Sequence, residues 1–230
     1  MNRPKTKTIL FALSSVDELG TSGKSTGTWL HELAAPYYLI TEAGHNVVFA
    51  SPKGGVAPID LLSMSPLYTS PFTDRFLQDE LALCQVRSTR QLADVHHEDL
   101  DALLVPGGYG LFWDLASDLS MLRLTNAMYE AQKPVAMVCH APAILRDLKR
   151  STGEYLVSGK NLTVFKIDED EEIEMGRYLP FQPEEALKAR GAHVLTAGNW
   201  VPHVVVDYPL ITGQSPPSAV PMTLELLKHL

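Results

Sequence analysis

Cys139 and His140 are adjacent in the chain and follow the apolar run Pro134–Val138 with no spacer. A thiolate is a strong nucleophile, and an imidazole beside it can carry its proton. The run reads as a buried strand and Ala141-Pro142-Ala143 as the start of a helix, which predicts the cysteine at a sharp strand-to-helix turn. Such a turn exposes the side chain at the carboxyl edge of a sheet, and the positive end of the following helix favours thiolate over thiol. The backbone N–H of residue 140 is placed to donate to a developing oxyanion. Gly107-Gly108, just past the apolar run Ala102–Val105, can bring a second N–H to the same point, because backbone without a Cβ can approach a substrate closely.

Glu32 lies between Trp29-Leu30 and Leu33-Ala34, so part of its surroundings is expected to be apolar, which raises a carboxyl pKa. A protonated Glu32 could donate to a thiolate and then shuttle protons. Trp113 and Trp200 are candidates for the mouth of a pocket. Cys84, within Leu81-Ala82-Leu83-Cys84, reads as a packing residue on a helix. His96-His97 and His203 lack the spacing of a zinc site, and two cysteines are too few for a disulfide framework, so no metal and no cofactor are expected.

The elements that must hold these residues alternate. Lys7–Leu13 reads as a strand, Thr28–Ala43 as a helix closed by Gly44, and Val47–Ala50 as a second strand ending in Ser51-Pro52-Lys53-Gly54-Gly55. Ala57–Thr69 is an irregular Pro- and Ser-rich excursion. Phe72–Gln85 and Thr89–Val95 carry helical spacing ahead of a third strand at Ala102–Val105. A helix over Asp118–Ala131 then leads to the fourth strand and the cysteine. Beyond Ser151 come strand-like pieces at Leu162–Phe165, Val194–Thr196, Val204–Val206 and Leu210–Thr212, a short helix at Pro183–Arg190, and a last helix from Pro221. The acidic run Asp168–Glu174 reads mainly as a solvated helix face. Alternation of this kind implies an α/β fold with parallel strands and helices on both faces.

The chain has 230 residues, 45% hydrophobic and 20% charged, enough for one globular domain over 1–230, and it shows no internal repeat. A formal charge of −8 without a basic cluster argues against nucleic acid as a partner. No stretch approaches the roughly 18 apolar residues of a membrane span, and the first residues lack a signal-peptide core. A cytoplasmic protein is expected.

Five stretches in order carry a resemblance: Glu32–Tyr38, Ala50–Gly55, Val105–Gly110, Ala136–Ala143 and Ile211–Pro216. In them the chain resembles the ThiJ/PfpI superfamily, which has the class I glutamine amidotransferase-like fold. Within it the chain is most similar to the branch of glutathione-independent glyoxalase III enzymes and heat-shock chaperones. The resemblance implies a flavodoxin-like three-layer sandwich with a mostly parallel central sheet, a homodimer, and Cys139, His140 and Glu32 as the reacting groups. It places the third, acidic member of the triad in Asp168–Glu172; Asp170 aligns best and Glu171 is the alternative. Ala141 stands where Gly is common in the branch, and Val164–Ile167 replaces a smaller, more polar stretch.

The activity so implied is conversion of methylglyoxal or a related aldehyde to D-lactate or the corresponding hydroxy acid, a hydro-lyase reaction through a cysteine hemithioacetal. Gly107 and Gly108 would serve the oxyanion and Trp113 the substrate. A holdase for unfolded proteins, a deglycase and a redox sensor are the alternatives from the same superfamily, with peptidase and isonitrile hydratase behind them. No late His-Pro-Glu pair is present, so glutamine amidotransferase activity is not expected.

Overall fold

The computed structural model describes residues 5–230. In chain order the elements are β1 (Thr8–Ala12), α1 (Leu30–Glu42), β2 (Asn46–Ser51), α2 (Pro71–Gln78), α3 (Glu80–Arg87), β3 (Arg90–Gln91), β4 (Ala102–Val105), α4 (Leu119–Glu130) and β5 (Val135–Val138). There follow β6 (Asn161–Leu162), α5 (Ile167–Glu172), α6 (Pro183–Ala189), β7 (His193–Val194), β8 (Val204–Asp207), β9 (Leu210–Gly213) and α7 (Ala219–Leu227).

Seven strands form one sheet in the order β3-β2-β1-β4-β5-β9-β8, parallel except for the β8–β9 pair. The short apolar runs give these strands, because a sheet covered on both faces needs apolar side chains on both. Alternation along β1 sends Ile9 and Phe11 to one face and Leu10 and Ala12 to the other. Leu33, Tyr38 and Met222 of α1 and α7 pack on the first face, and Met121 and Met128 of α4 on the second. The chain winds outward from β1 through β2 and β3, then returns to β4, β5 and β9 on the other side. The strand order therefore reverses between β1 and β4, where a doubly wound sheet opens a crevice at its carboxyl ends.

Several expected elements differ. The stretch 72–85 is broken at Asp79, whose side chain accepts from the Leu81 and Ala82 N–H groups and so caps a second helix. Thr89–Val95 is not helical. Thr89 and Gly55 exchange backbone hydrogen bonds of 2.8 and 2.9 Å, which draws Arg90 and Gln91 onto the sheet edge against Ala50 and Ser51. The segments at 162–165 and 194–196 contribute only Leu162 and Val194 to strands, and the two-residue strands Asn161–Leu162 and His193–Val194 pair with each other outside the main sheet. After Cys139 the chain forms a 3-10 helix, Ala141–Asp147, in place of an α-helix. No helix among the described residues is long and apolar enough to cross a membrane.

Candidate active site

The loop after β4 and the turn after β5 lie side by side at the carboxyl edge of the sheet. Cys139 has φ +63°, a left-handed conformation that costs a non-glycine residue on the order of 1 kcal/mol. The turn is held from both sides: the Cys139 N–H donates to the Gly213 carbonyl at 2.9 Å, and its carbonyl accepts from the Phe165 N–H at 2.9 Å. The residue is only 3% exposed, so the expected exposed thiol is a buried one reached through a small cavity. Burial pushes the thiol pKa up from its ordinary value, and the Asp170 charge acts the same way. The His140 N–H, directed at the sulfur, pulls against them and is outweighed. Burial therefore opposes the helix-end effect expected at this turn.

On one side of the sulfur stands His140. Its Nδ1 lies 3.3 Å from Cys139 Sγ, and its Nε2 lies 3.0 Å from Asp170 Oδ2. The Tyr109 hydroxyl donates to the other carboxylate oxygen, Oδ1, at 2.8 Å. His140, Asp170 and Tyr109 are all buried. With Nε2–H committed to Asp170, the Nδ1 lone pair faces the sulfur and can accept its proton. Tyr109, Phe165 and Phe112 surround the imidazole at centroid distances of 4.6, 4.5 and 5.5 Å, which fixes the ring. Burial and then the Asp170 charge drive the Tyr109 pKa far upward, so the phenol remains a donor. Glu171 is exposed and touches none of these atoms, so of the two acids considered it is Asp170 that reaches His140.

On the other side stands Glu32, in the first turn of α1 and wholly buried. Its Oε2 accepts from the Gly107 N–H at 2.6 Å, whereas its Oε1 has no hydrogen-bond partner among the described residues. Burial raises its pKa to about 8, against the opposing effect of the Gly107 N–H. The carboxyl is therefore mostly protonated at neutral pH, and with Oε2 already an acceptor the proton belongs on Oε1.

Gly107 separates the carboxyl from the nucleophile. A Cβ there would stand 2.6 Å from both Cys139 Cβ and Glu32 Oε2. Gly108, at φ +114°, has equally little room, since a Cβ would come within 2.2 Å of the Gly27 carbonyl oxygen. The expected glycine pair thus divides its work. The Gly107 N–H is taken by Glu32, so it is not free to serve an oxyanion as expected of the pair.

The cavity is lined by Gly108, Tyr109, Cys139, His140, Phe165 and Ile173, with Trp29, Trp200 and Pro216 at its opening. Trp113 does not line it. Its indole packs on Phe112 and against Gly20, away from the cavity mouth expected of it, whereas Trp200 lines the cavity. Tyr109 and Trp29 escaped the sequence reading. The glycines before Tyr109 marked a loop, but nothing local placed its hydroxyl on Asp170. The Pro-rich excursion forms the outer wall, with Tyr68 edge-on to Trp29 at 5.0 Å. The acidic run is only in part a solvated face: Asp168, Glu171 and Glu172 are exposed, but Glu169 and Asp170 are buried. No group of three His, Cys, Asp or Glu side chains among the described residues is placed to hold a metal ion.

Comparison with known proteins agrees with this architecture. The chain is 27% identical over 222 residues to glyoxalase 3 of Candida albicans, covering 92% of this chain and 93% of that relative. The structure of the 24 kDa rapid encystment protein of Francisella tularensis superposes with a TM-score of 0.92 at 29% identity, covering 97% of this chain and 99% of the other. That of Candida albicans glyoxalase III superposes with a TM-score of 0.86 at 23% identity, covering 97% of each chain, and shares the fold. Residues 26–229 match the DJ-1/PfpI family, and the chain belongs to it.

Proposed function

We propose that the chain is a glyoxalase III-type enzyme that converts methylglyoxal or a related 2-oxoaldehyde to the 2-hydroxy acid without glutathione, Cys139 itself serving as the thiol. The observation that carries this reading is the buried, protonated Glu32 with an unpartnered oxygen beside the nucleophile. Simple acyl transfer needs a nucleophile, a base and an oxyanion site; a second, movable proton serves a reaction that relocates hydrogen between adjacent carbons. The name of the Candida albicans relative points the same way.

The sulfur adds to the aldehyde carbon as its proton passes to His140 Nδ1, and the Gly108 and His140 N–H groups receive the oxygen of the hemithioacetal. His140 passes that proton to the hemithioacetal oxygen, and its freed Nδ1 removes the hydrogen on the former aldehyde carbon while Glu32 protonates the ketone oxygen. The hydroxyl proton on the former aldehyde carbon later returns to Glu32 as the thioester carbonyl forms. Return of a proton to the neighbouring carbon leaves a 2-hydroxy thioester. Water then releases the acid and restores the thiol. The net change is addition of one water, with the aldehyde carbon oxidised and the ketone carbon reduced within one molecule. Under this reading the enzyme is a hydro-lyase in the lactate-forming direction, a single cytoplasmic domain acting as a homodimer.

The test is consumption of methylglyoxal and formation of D-lactate by wild type, Cys139→Ser and Glu32→Gln side by side. Loss in both variants supports the shared mechanism. Undiminished turnover in Cys139→Ser refutes it.

A holdase role is the second reading, favoured by the apolar side chains of the excursion: Leu61 is 62% and Leu67 86% exposed. Suppression of client aggregation that persists in Cys139→Ser and falls in Leu61→Ser/Leu67→Ser would support it; no suppression by wild type would end it.

A further inference from the structure

The sulfur opens onto very little space. The cavity against Cys139 holds about 10 Å³, roughly what one water molecule needs. A vestibule of about 390 Å³ adjoins it and shares Trp29, Trp200 and Pro216 with it. A carbonyl compound can press only its aldehyde end against the sulfur, and whatever is attached to that end must lie in the vestibule. A methyl group leaves most of that space to water.

The vestibule is aromatic and uncharged. Trp29, Tyr68 and Trp200 wall it, and no Asp, Glu, Lys or Arg among the described residues lines it. The His31 Nδ1 contact to Ser70 Oγ, at 2.9 Å, lies within the wall. Trp200, at φ +59°, is held in place rather than left to drift. Its backbone N–H donates to Glu169 Oε1 at 2.7 Å and its indole N–H to Glu172 Oε2 at 2.5 Å. Glu169 is buried one residue before Asp170 and also accepts from the Lys166 N–H and Gln214 Nε2. The single turn of α5 that orients His140 thus also positions the vestibule wall, and the wall exists before any ligand arrives. Opposite it, Trp29 is 4% exposed and its indole N–H has no acceptor among the described residues. A buried donor left unpaired is costly unless a ligand supplies the acceptor.

We propose that the vestibule is a subsite for a flat apolar substituent, so that the enzyme takes aryl-substituted 2-oxoaldehydes in preference to methylglyoxal, with the Trp29 indole N–H donating to the ketone oxygen. This rests on the glyoxalase reading and names its substrate class. Trp200 is the specificity-determining face, and Glu169 and Glu172 are positioning residues that act through it.

The experiment compares kcat/KM for phenylglyoxal and methylglyoxal in wild type, Trp200→Ala and Glu172→Ala. Wild type should favour phenylglyoxal about tenfold or more, and Trp200→Ala should lose about tenfold on phenylglyoxal but under about threefold on methylglyoxal. Glu172→Ala, a surface change, should raise KM for phenylglyoxal about threefold with kcat intact. Equal kcat/KM for the two aldehydes in wild type, or equal losses on both in Trp200→Ala, overturns the proposal. If wild type consumes neither aldehyde, the glyoxalase reading fails by itself. The subsite is then decided by calorimetric titration with D-mandelate and D-lactate, the two hydroxy-acid products. Tighter binding of mandelate that disappears in Trp200→Ala upholds the subsite, and equal or absent binding of both overturns it.

Discussion

On the His140 side of the Cys139 sulfur every polar side-chain atom is paired: Nδ1 with the thiol, Nε2 with Asp170, and the second Asp170 oxygen with Tyr109. On the Glu32 side Oε2 is held by the Gly107 N–H, and Oε1 has no hydrogen-bond partner among the described residues. A saturated, buried network has one geometry and resists change. Its business is to keep an imidazole aimed at the sulfur. An unsaturated carboxyl with a pKa near the working pH has a proton to give and a place to take one back. The contrast separates an orienting flank from a proton-transferring flank, although each contains a buried acid.

The contrast can be broken from the centre outward. Removing the sulfur should have the largest effect: Cys139→Ser is expected to lower kcat by about 10⁴-fold or more, measured as methylglyoxal consumption. Asp170→Asn comes next. An amide can donate to Nε2, which turns the imidazole to the tautomer whose Nδ1–H faces the thiol, and kcat should fall by about 10³-fold with the fold intact by circular dichroism. A loss below about tenfold would mean that His140 does not depend on Asp170 for its orientation.

Tyr109→Phe should do less. It keeps the ring against His140 but leaves Asp170 Oδ1 without its donor, at an expected cost of about 1–3 kcal/mol in denaturant unfolding and about tenfold in kcat. If the two flanks are separate, Tyr109→Phe should leave the alkaline limb of the pH profile where it is in wild type. The smallest effect is on stability. The Glu32 carboxyl lies at about 8 in the folded protein and near 4.5 when free, so between those values the folded state holds the extra proton. Stability associated with it is fully present below about pH 4.5 and is lost as pH rises toward and through 8. Glu32→Gln should flatten that decline, seen as a Tm less dependent on pH than in wild type.

Much of the site could be read before any fold was known, because its residues sit at strand ends and in the first turn of a helix. Cys139, His140, Gly107 and Gly108 follow apolar runs directly, and the order of strands brings those ends together. What could not be read depends on distant packing. Tyr109 meets Asp170 across 61 positions, and Trp29 becomes a wall only because the backbone N–H of Trp29 donates to the Gly107 carbonyl. Trp113 stands close to the glycine loop in sequence, yet its own 3-10 turn, Gly110–Trp113, directs it to Phe112 and Gly20. The acidic run hid two buried members because like charges in a row resemble a solvated face. The burial of Cys139 was hidden for a related reason: the turn is visible in the chain, but the residues that close over it are distant in sequence.

The central claim is that Glu32 works as a protonated acid next to Cys139. The pH profile of kcat/KM for methylglyoxal, from about pH 5 to 10 in wild type and in Glu32→Gln, tests it most directly. The account predicts a wild-type limb that falls as pH rises through about 8, and a slower variant in which that limb is gone. The same limb in both proteins, or a wild-type profile flat through that range, would contradict it.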